Sequence, residues 1–288
     1  MADRGADGHP PAPCGAADLR RACEARGPLD APALVLLHGT RRTRAMWRHQ
    51  LDGLSDDFRV VAVDLPGHGA LAHVPFRLRD ATAVVSSAID AAAGGRAIVV
   101  GQSLGGYVAM DLAAGRPDQV AGLVLVNASS EPRSVARRAP RTVGSYLLVA
   151  AGEHIRSPGA RAGVRRAGNG GRPAAASVDG DPEGGPATSG WLFRGGTRAL
   201  VSALREVFLP RLAAYPGRTL ILNGEDDVLF RHGELAFLAA AADGRLELIP
   251  GGGHEVNEDR PEAFNAAVRR FAAEVSRAAR LEVEPSRA

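Results

Sequence analysis

The sequence feature that most constrains the fold is the pentapeptide GQSLG at residues 101–105. The pattern G-x-S-x-G is typical of a sharp turn from a strand into a helix, which lifts the serine hydroxyl to the top of the turn. Glycines flank the serine because the tight turn leaves little room for a Cβ. The chain holds 35 glycines, so the pattern alone is weak and its surroundings must decide.

The residues on both sides of the pentapeptide fit such a turn. Residues 97–100 (AIVV) are apolar and partly β-branched, as in a fully buried strand of a parallel sheet. Residues 104–114 carry apolar side chains at helical spacing and stop at Gly115, and the apolar run 120–126 predicts the next strand. The order strand, turn, helix, strand makes Ser103 the candidate nucleophile, with an ordinary glycine-rich turn as the alternative.

A serine nucleophile needs a general base, and the histidines after Ser103 are few. His254 follows the strand-like residues 246–249 and a Gly-rich turn. It is therefore expected at the carboxyl end of a strand, where open α/β sheets build their sites. We interpret His254 as the base, because His154 lies in an Arg- and Gly-rich stretch and His232 opens a predicted helix.

The acid that orients the base is expected at the end of another strand. Residues 219–222 predict that strand, and Glu225, Asp226 and Asp227 follow it in one turn. Spacing does not separate these three carboxylates. The alternative interpretation is that they cap the following helix or lie favourably near its positive end.

Acyl transfer also needs backbone donors for the oxyanion. The residue after the nucleophile, Leu104, supplies one amide from the start of the helix. The loop after the apolar residues 33–37 predicts the second donor at Thr40. We interpret His38, in the same loop, as a hydrogen-bonding brace rather than a catalytic group.

Several segments of the chain together resemble the α/β-hydrolase fold superfamily, in its lidded group of esterases, lactonases and C–C hydrolases. Their order and separations are more specific than any single motif, and they cover about residues 30–130 and 215–275. The segments are LVLLHGT at 34–40, DLPGHG at 64–69, GQSLGG at 101–106, LNGEDD at 222–227, GGGHEVN at 251–257 and RPE at 260–262.

This resemblance implies a catalytic triad of Ser103, His254 and Asp227, with Asp226 as the second choice for the acid. It also implies an oxyanion hole at Thr40 and Leu104. Some members of the superfamily carry the acid after the preceding strand. Here that strand ends at Asn127, and only Glu131 can take that role. Gln102 departs from many relatives, which carry histidine or another residue at this position.

The predicted fold is an α/β-hydrolase fold, with a mostly parallel sheet of the eight-stranded type flanked by helices and a lid insertion. We expect residues 1–17 to be a disordered tail, 18–129 and 214–280 the hydrolase core, 130–213 a partly mobile lid, and 281–288 a second tail. A weak edge strand is predicted at 19–26. The other predicted strands are 33–38, 59–64, 97–101, 120–126, 219–223 and 246–249, and the predicted helices are 45–54, 78–92, 104–115, 232–242 and 261–279.

Five large side chains near the oxyanion loop and in the lid are candidates for substrate binding. Each can instead anchor its segment to the core, and the sequence leaves both interpretations open. The candidates are Met46, Trp47, Tyr146, Trp191 and Phe193.

Composition excludes several other classes of function. The net charge is only +3, and the 35 basic residues, all arginine, are dispersed, so nucleic-acid binding is not expected. No apolar stretch reaches the length of a membrane span, and residues 1–30 show no secretory signal. Cys14 and Cys23 have no metal or redox spacing, which favours a reducing, cytoplasmic location. The pair His254-Glu255 lacks the second histidine of a zinc motif, since Glu258 stands there, so no metal or cofactor is expected.

The sequence thus predicts a serine hydrolase that cleaves a small-molecule ester, lactone or thioester through an acyl-enzyme. Two alternatives stay open: the same triad used for C–C bond cleavage or a lyase or cyclase step, and a ligand-binding relative without turnover. The composition, rich in Ala, Gly and Arg, indicates a GC-rich bacterial genome. The sequence does not distinguish a monomer from a homodimer.

Overall fold

The computed structural model describes residues 14–138 and 190–283, and in them seven strands form one sheet. The strand order is β1-β3-β2-β4-β5-β6-β7. Only β1 runs antiparallel to its neighbour; every other pair is parallel. The mostly parallel sheet is confirmed, with seven strands in the described residues where an eight-stranded type was expected. The strands are β1 Cys23–Arg26, β2 Ala33–Leu37, β3 Arg59–Val63, β4 Ala97–Gln102, β5 Val120–Val126, β6 Arg218–Gly224 and β7 Asp243–Ile249.

Helices flank the sheet on both faces. A 3₁₀ turn at Arg44–Trp47 leads directly into α2. The α-helices are α1 Ala16–Ala22, α2 Arg48–Leu54, α3 Leu78–Ala92, α4 Leu104–Gly115, α5 Pro132–Arg138, α6 Gly190–Ala203, α7 Leu209–Ala214, α8 Glu234–Ala240, α9 Val256–Asp259 and α10 Pro261–Val283. None of the helices in the described ranges is long and apolar enough to cross a bilayer.

The predicted edge strand at 19–26 is wrong over its first half. Helix α1 occupies Ala16–Ala22 and begins inside the segment that we expected to be a tail. Ala22 is buried in the core, and the chain becomes extended only where Cys23–Arg26 pair with β3. The short pattern AADLRRA carries too few apolar positions to distinguish about two turns of helix from a weak strand.

Alternation along the strands divides the core into two clusters, one on each face of the sheet. Successive side chains of a strand point to opposite faces. In β2, Val35 and Leu37 therefore belong to one cluster, which includes α3 and α4, while Leu34 and Leu36 belong to the other, which includes α2 and α10. Both faces are covered, which is why β2 is buried along its whole length.

The strand order brings the candidate functional residues to one edge of the sheet. The chain moves outward from β2 to β3 and then returns to β4 on the other side of β2. This reversal opens a crevice between the loops after β2 and β4, at the carboxyl ends of the strands. The turns after β4, β5, β6 and β7 lie side by side along that edge.

Candidate active site

Ser103 occupies a strained turn between β4 and α4. Its φ is 51° and its ψ is −111°, a conformation that residues with a Cβ rarely adopt. The Ser103 amide donates to the carbonyl of Val126 at 2.9 Å, which ties the turn to the end of β5. Such strain persists only where the surrounding structure enforces it, and it is found mainly at functional sites.

Two glycines of the pentapeptide make this turn possible. A Cβ on Gly101 would overlap the carbonyl of Gly105, and a Cβ on Gly105 would overlap the carbonyl of Leu37 in β2. The elbow therefore packs backbone against backbone. Any side chain at either position would force the backbone of the elbow to shift.

Asp227 and His254 form a hydrogen-bonded pair across the turns after β6 and β7. The Nδ1 atom of His254 lies 2.7 Å from Oδ2 of Asp227. The other carboxylate oxygen of Asp227 accepts the amides of Leu229 and Phe230 at 3.2 and 3.3 Å. The Asp227 side chain is 4% exposed and the His254 side chain 40%, so a buried acid holds an imidazole that stays open to the crevice.

The other carboxylates considered for the acid are placed elsewhere. Glu225 and Asp226 are exposed. The main-chain amide of Asp226 donates to Gly252 at 2.9 Å, which fixes the turn. Glu131 caps α7, since its carboxylate accepts the amides of Phe208 and Leu209 at 2.9 and 2.8 Å. Of these carboxylates, the structure places Asp227 alone against His254.

Two buried carboxamides that the sequence analysis did not assign to the site hold the loop of His254. Gln102 donates from Nε2 to the carbonyl of His254 at 2.8 Å. Asn127 donates from Nδ2 to the carbonyls of His254 and Gly253 at 2.8 and 2.9 Å. Its Oδ1 accepts the amide of Gly224 at 2.9 Å. The available signal was position, because both residues stand at strand ends that point to the site.

The imidazole of His254 is also stacked against an aromatic ring. The ring centroids of His254 and Phe230 are 4.6 Å apart, with the planes tilted by 26°. Phe230 and Ser103 line the same cavity. The structure shows no direct hydrogen bond between Ser103 Oγ and the imidazole. Such bonds often tighten only in the complex with substrate.

The cavity at Ser103 is small and mainly apolar. Its volume is about 50 Å³, and Thr40, Ser103 and Leu104 line it together. Leu104 is the first residue of α4, where amides lack a partner within the helix. Thr40 and Leu104, the residues predicted to supply the oxyanion donors, thus line the same cavity as the serine. The remaining lining residues are Tyr107, Pro132, Val135, Leu200, Ala203 and Phe230.

Two buried histidines brace the loops after β2 and β3. His38 Nδ1 lies 2.8 Å from the carbonyl of Gly39, and its Nε2 accepts the amide of Leu65 at 3.0 Å. This confirms the interpretation of His38 as a brace. Burial lowers the pKa of His38 to about 4 and that of His68 to about 3. Both rings are therefore neutral at pH 7.

The loop after β2 is joined to the segment after His254 by an ion pair. Arg42 contacts Glu258 on α9, and its guanidinium lies 3.5 Å from Glu255. Burial, opposed by Arg42, raises the pKa of Glu258 to about 7. The residues of the described ranges contain no group of three His, Cys, Asp or Glu side chains that could hold a metal ion.

Two of the candidates for substrate binding lie in the core, as the alternative interpretation of them has it. Met46 and Trp47 are buried in the core cluster that includes α2 and α10. There the ring centroids of Trp47 and Phe264 are 5.9 Å apart. Leu104 and Tyr107 of the cavity belong to the cluster on the opposite face of the sheet. Met46 and Trp47 therefore anchor the 3₁₀ turn to the core.

The three lid candidates cannot be placed against the cavity. Tyr146 lies outside the described residues. Trp191 and Phe193 lie on α6, but their side chains are also outside what the structure describes. Their role in substrate binding stays a prediction.

Comparison with known proteins gives a consistent set of similarities. The sequence model of the alpha/beta hydrolase family matches residues 34–267. A pimeloyl-(acyl-carrier protein) methyl ester esterase from Vibrio atlanticus is 42% identical over 109 residues, which is 38% of this chain and 40% of that protein. A putative carbamate hydrolase RutD from Variovorax paradoxus is 38% identical over 119 residues, or 40% of this chain and 45% of that protein.

Among solved structures, an enol-lactonase from Burkholderia xenovorans superimposes with a TM-score of 0.63 at 22% identity. The match covers 87% of this chain and 95% of that one. The structural likeness thus extends over most of this chain. The sequence matches to the two curated relatives span less than half of those proteins.

Proposed function

The chain belongs to the alpha/beta hydrolase family, and we propose that it is a serine hydrolase that cleaves a small-molecule ester, lactone or thioester. One observation carries the proposal. The strained Ser103 follows β4, and the hydrogen-bonded pair of Asp227 and His254 follows β6 and β7, at the same edge of the sheet. The methyl ester esterase among the relatives supports an ester as the substrate class.

In the first half of the reaction, Ser103 Oγ attacks the carbonyl carbon while Nε2 of His254 takes the hydroxyl proton. Asp227 accepts a hydrogen bond from Nδ1–H of His254, which keeps the tautomer whose Nε2 is free to act as base. It also stabilises the imidazolium that forms. The carbonyl oxygen becomes an oxyanion, which accepts hydrogen bonds from the amides of Thr40 and Leu104.

The oxyanion then collapses, the bond to the leaving group breaks, and His254 returns its proton to that group. Water enters, gives a proton to His254 and attacks the acyl-enzyme. A second tetrahedral intermediate releases the acid and restores the Ser103 hydroxyl. No step requires a metal ion or an organic cofactor.

Residues of the insertion 130–213 support its assignment as a lid. Pro132 and Val135 of α5, together with Leu200 and Ala203 of α6, form one wall of the cavity at Ser103. We further propose a cytoplasmic location, which is supported by the unpaired thiols of Cys14 and Cys23.

A panel of p-nitrophenyl esters, lactones and acyl-thioesters tests the proposal, with Ser103→Ala as the control. We expect turnover on at least one class and its loss in the variant. Labelling by a fluorophosphonate without turnover on any class would instead favour C–C cleavage or a lyase or cyclase step. A protein that neither turns over nor reacts with the probe would be a ligand-binding relative, and the proposal would be wrong.

A further inference from the structure

The carbonyl of His254 is the meeting point of two buried carboxamides from different strands. Gln102 ends β4, and Asn127 directly follows β5. Both donate to this one oxygen at 2.8 Å. A carbonyl has two lone pairs, so its accepting capacity is filled by these two residues.

Both carboxamides are fixed in place by their surroundings. Asn127 has a φ of 46°. Its main-chain amide donates to Oδ1 of Asn223 at 3.0 Å, and its own Oδ1 accepts the amide of Gly224 at 2.9 Å. Gln102 is buried, and its Oε1 lies so close to Gly39 that a Cβ there would overlap it. The two donors are therefore preorganised.

The segment that leads to His254 is rich in glycine and is held mainly through its backbone. In residues 250–253 (PGGG), the Gly252 carbonyl accepts the Asp226 amide at 2.9 Å and the Gly253 amide donates to Asp259 Oδ2 at 2.8 Å. These bonds fix the turn before His254, and the two carboxamides hold the next carbonyl along the chain. The His254 ring is held at Nδ1 by Asp227 and on one face by Phe230. Those contacts orient the ring, whereas the carbonyl contacts fix where its backbone stands.

We propose that Gln102 and Asn127 are positioning residues that hold His254 at a constant distance from Ser103. The inference rests on the proposed function, since it assigns His254 as the base. Gln102 directly precedes the nucleophile, so one backbone segment carries both the attacking hydroxyl and the donor that anchors the base. Movement of the elbow then carries the base with it.

Gln102→Met tests this role, because methionine keeps the length of the side chain and removes its donor. Gln119→Met is the matched control. Gln119 is also a buried glutamine, but it bonds Ser86 and Asp90 at the opposite end of the sheet. Both variants are expected to lose similar stability in thermal unfolding.

The kinetic readout separates positioning from a merely structural role. In Gln102→Met we expect kcat for ester hydrolysis to fall about tenfold with KM unchanged, as small displacements of a catalytic group do. In Gln119→Met both constants should stay within about twofold of the wild type. Equal kcat in the two variants would overturn the proposal.

A second measurement does not depend on turnover. The Nδ1 proton of His254, shared with Asp227, should give a downfield proton resonance that is lost in His254→Ala. We expect it to broaden or shift in Gln102→Met and to stay unchanged in Gln119→Met. An unchanged resonance in Gln102→Met would overturn the positioning role. Absence of both turnover and probe labelling in the wild type would instead contradict the proposed function.

Discussion

Replacing Asp227 by asparagine should remove most of the turnover with little effect on the fold. The carboxylate now makes three contacts, one to His254 at 2.7 Å and two to the amides of Leu229 and Phe230. An asparagine can keep both amide contacts only if its oxygen faces them. Its NH₂ group then faces Nδ1 of His254.

This orientation changes the tautomer of the imidazole. Nδ1 must accept a hydrogen bond from the new NH₂ group, so the proton moves to Nε2, and His254 can no longer take the proton of Ser103. In the opposite orientation the NH₂ group of the asparagine would face the donating amides of Leu229 and Phe230. Both amides would lose their acceptor, which costs more than the bond to Nδ1–H of His254 recovers. An equivalent substitution in a serine protease lowers kcat about 10⁴-fold. We expect a loss of about 10³–10⁴, or about 4–5.5 kcal/mol of transition-state stabilisation.

Asp226→Asn is the matched control, since this neighbouring aspartate is exposed and contributes its main-chain amide to the turn. Its kcat should stay within about twofold of the wild type. The assay is steady-state hydrolysis of the best ester of the panel, with thermal unfolding to check that both variants are folded. Equal mild losses in the two variants, or a larger loss in Asp226→Asn, would refute the assignment of the acid.

Two further predictions concern stability. Ser103→Gly should be more stable than Ser103→Ala by about 1–2 kcal/mol in urea unfolding, because glycine adopts a φ of 51° without strain. Equal stabilities of the two variants would show that the backbone at this position is not strained. The protein should lose thermal stability as the pH falls from 6.5 to 4.5, because His38 and His68 stay neutral when folded and take up protons on unfolding. Glu258 has the opposite effect on stability. Its raised pKa means that, between about pH 4.5 and 7, the folded protein binds a proton that the unfolded chain releases. Glu258→Gln should therefore steepen the loss of thermal stability on acidification. A melting temperature that rises on acidification would refute the reasoning.

Local patterns predicted the central elements closely. The helices at 78–92 and 104–115 and the strand at 120–126 have the predicted bounds, because each combines a clear apolar period with a stop signal. Strand β7 begins at Asp243, earlier than the predicted 246. Its first residues are polar and exposed at the edge of the sheet, so no apolar signal marks them.

Other features depend on contacts between distant residues, which a single sequence does not reveal. Spacing could not separate Asp226 from Asp227, because the choice depends on how the turn after β6 pairs with Gly252. A large apolar side chain such as Trp47 suits both a substrate pocket and the core. Only packing decides which face of the sheet it covers. The role of Asn127 was hidden for the same reason, since it bonds a carbonyl 127 positions away.

Mapping the adduct of a fluorophosphonate probe is the most direct test of the triad. The account predicts one adduct, on the peptide that contains Ser103, which disappears in Ser103→Ala and forms much more slowly in His254→Ala. An adduct on another residue, or labelling of Ser103 that is equally fast without the imidazole, would contradict it.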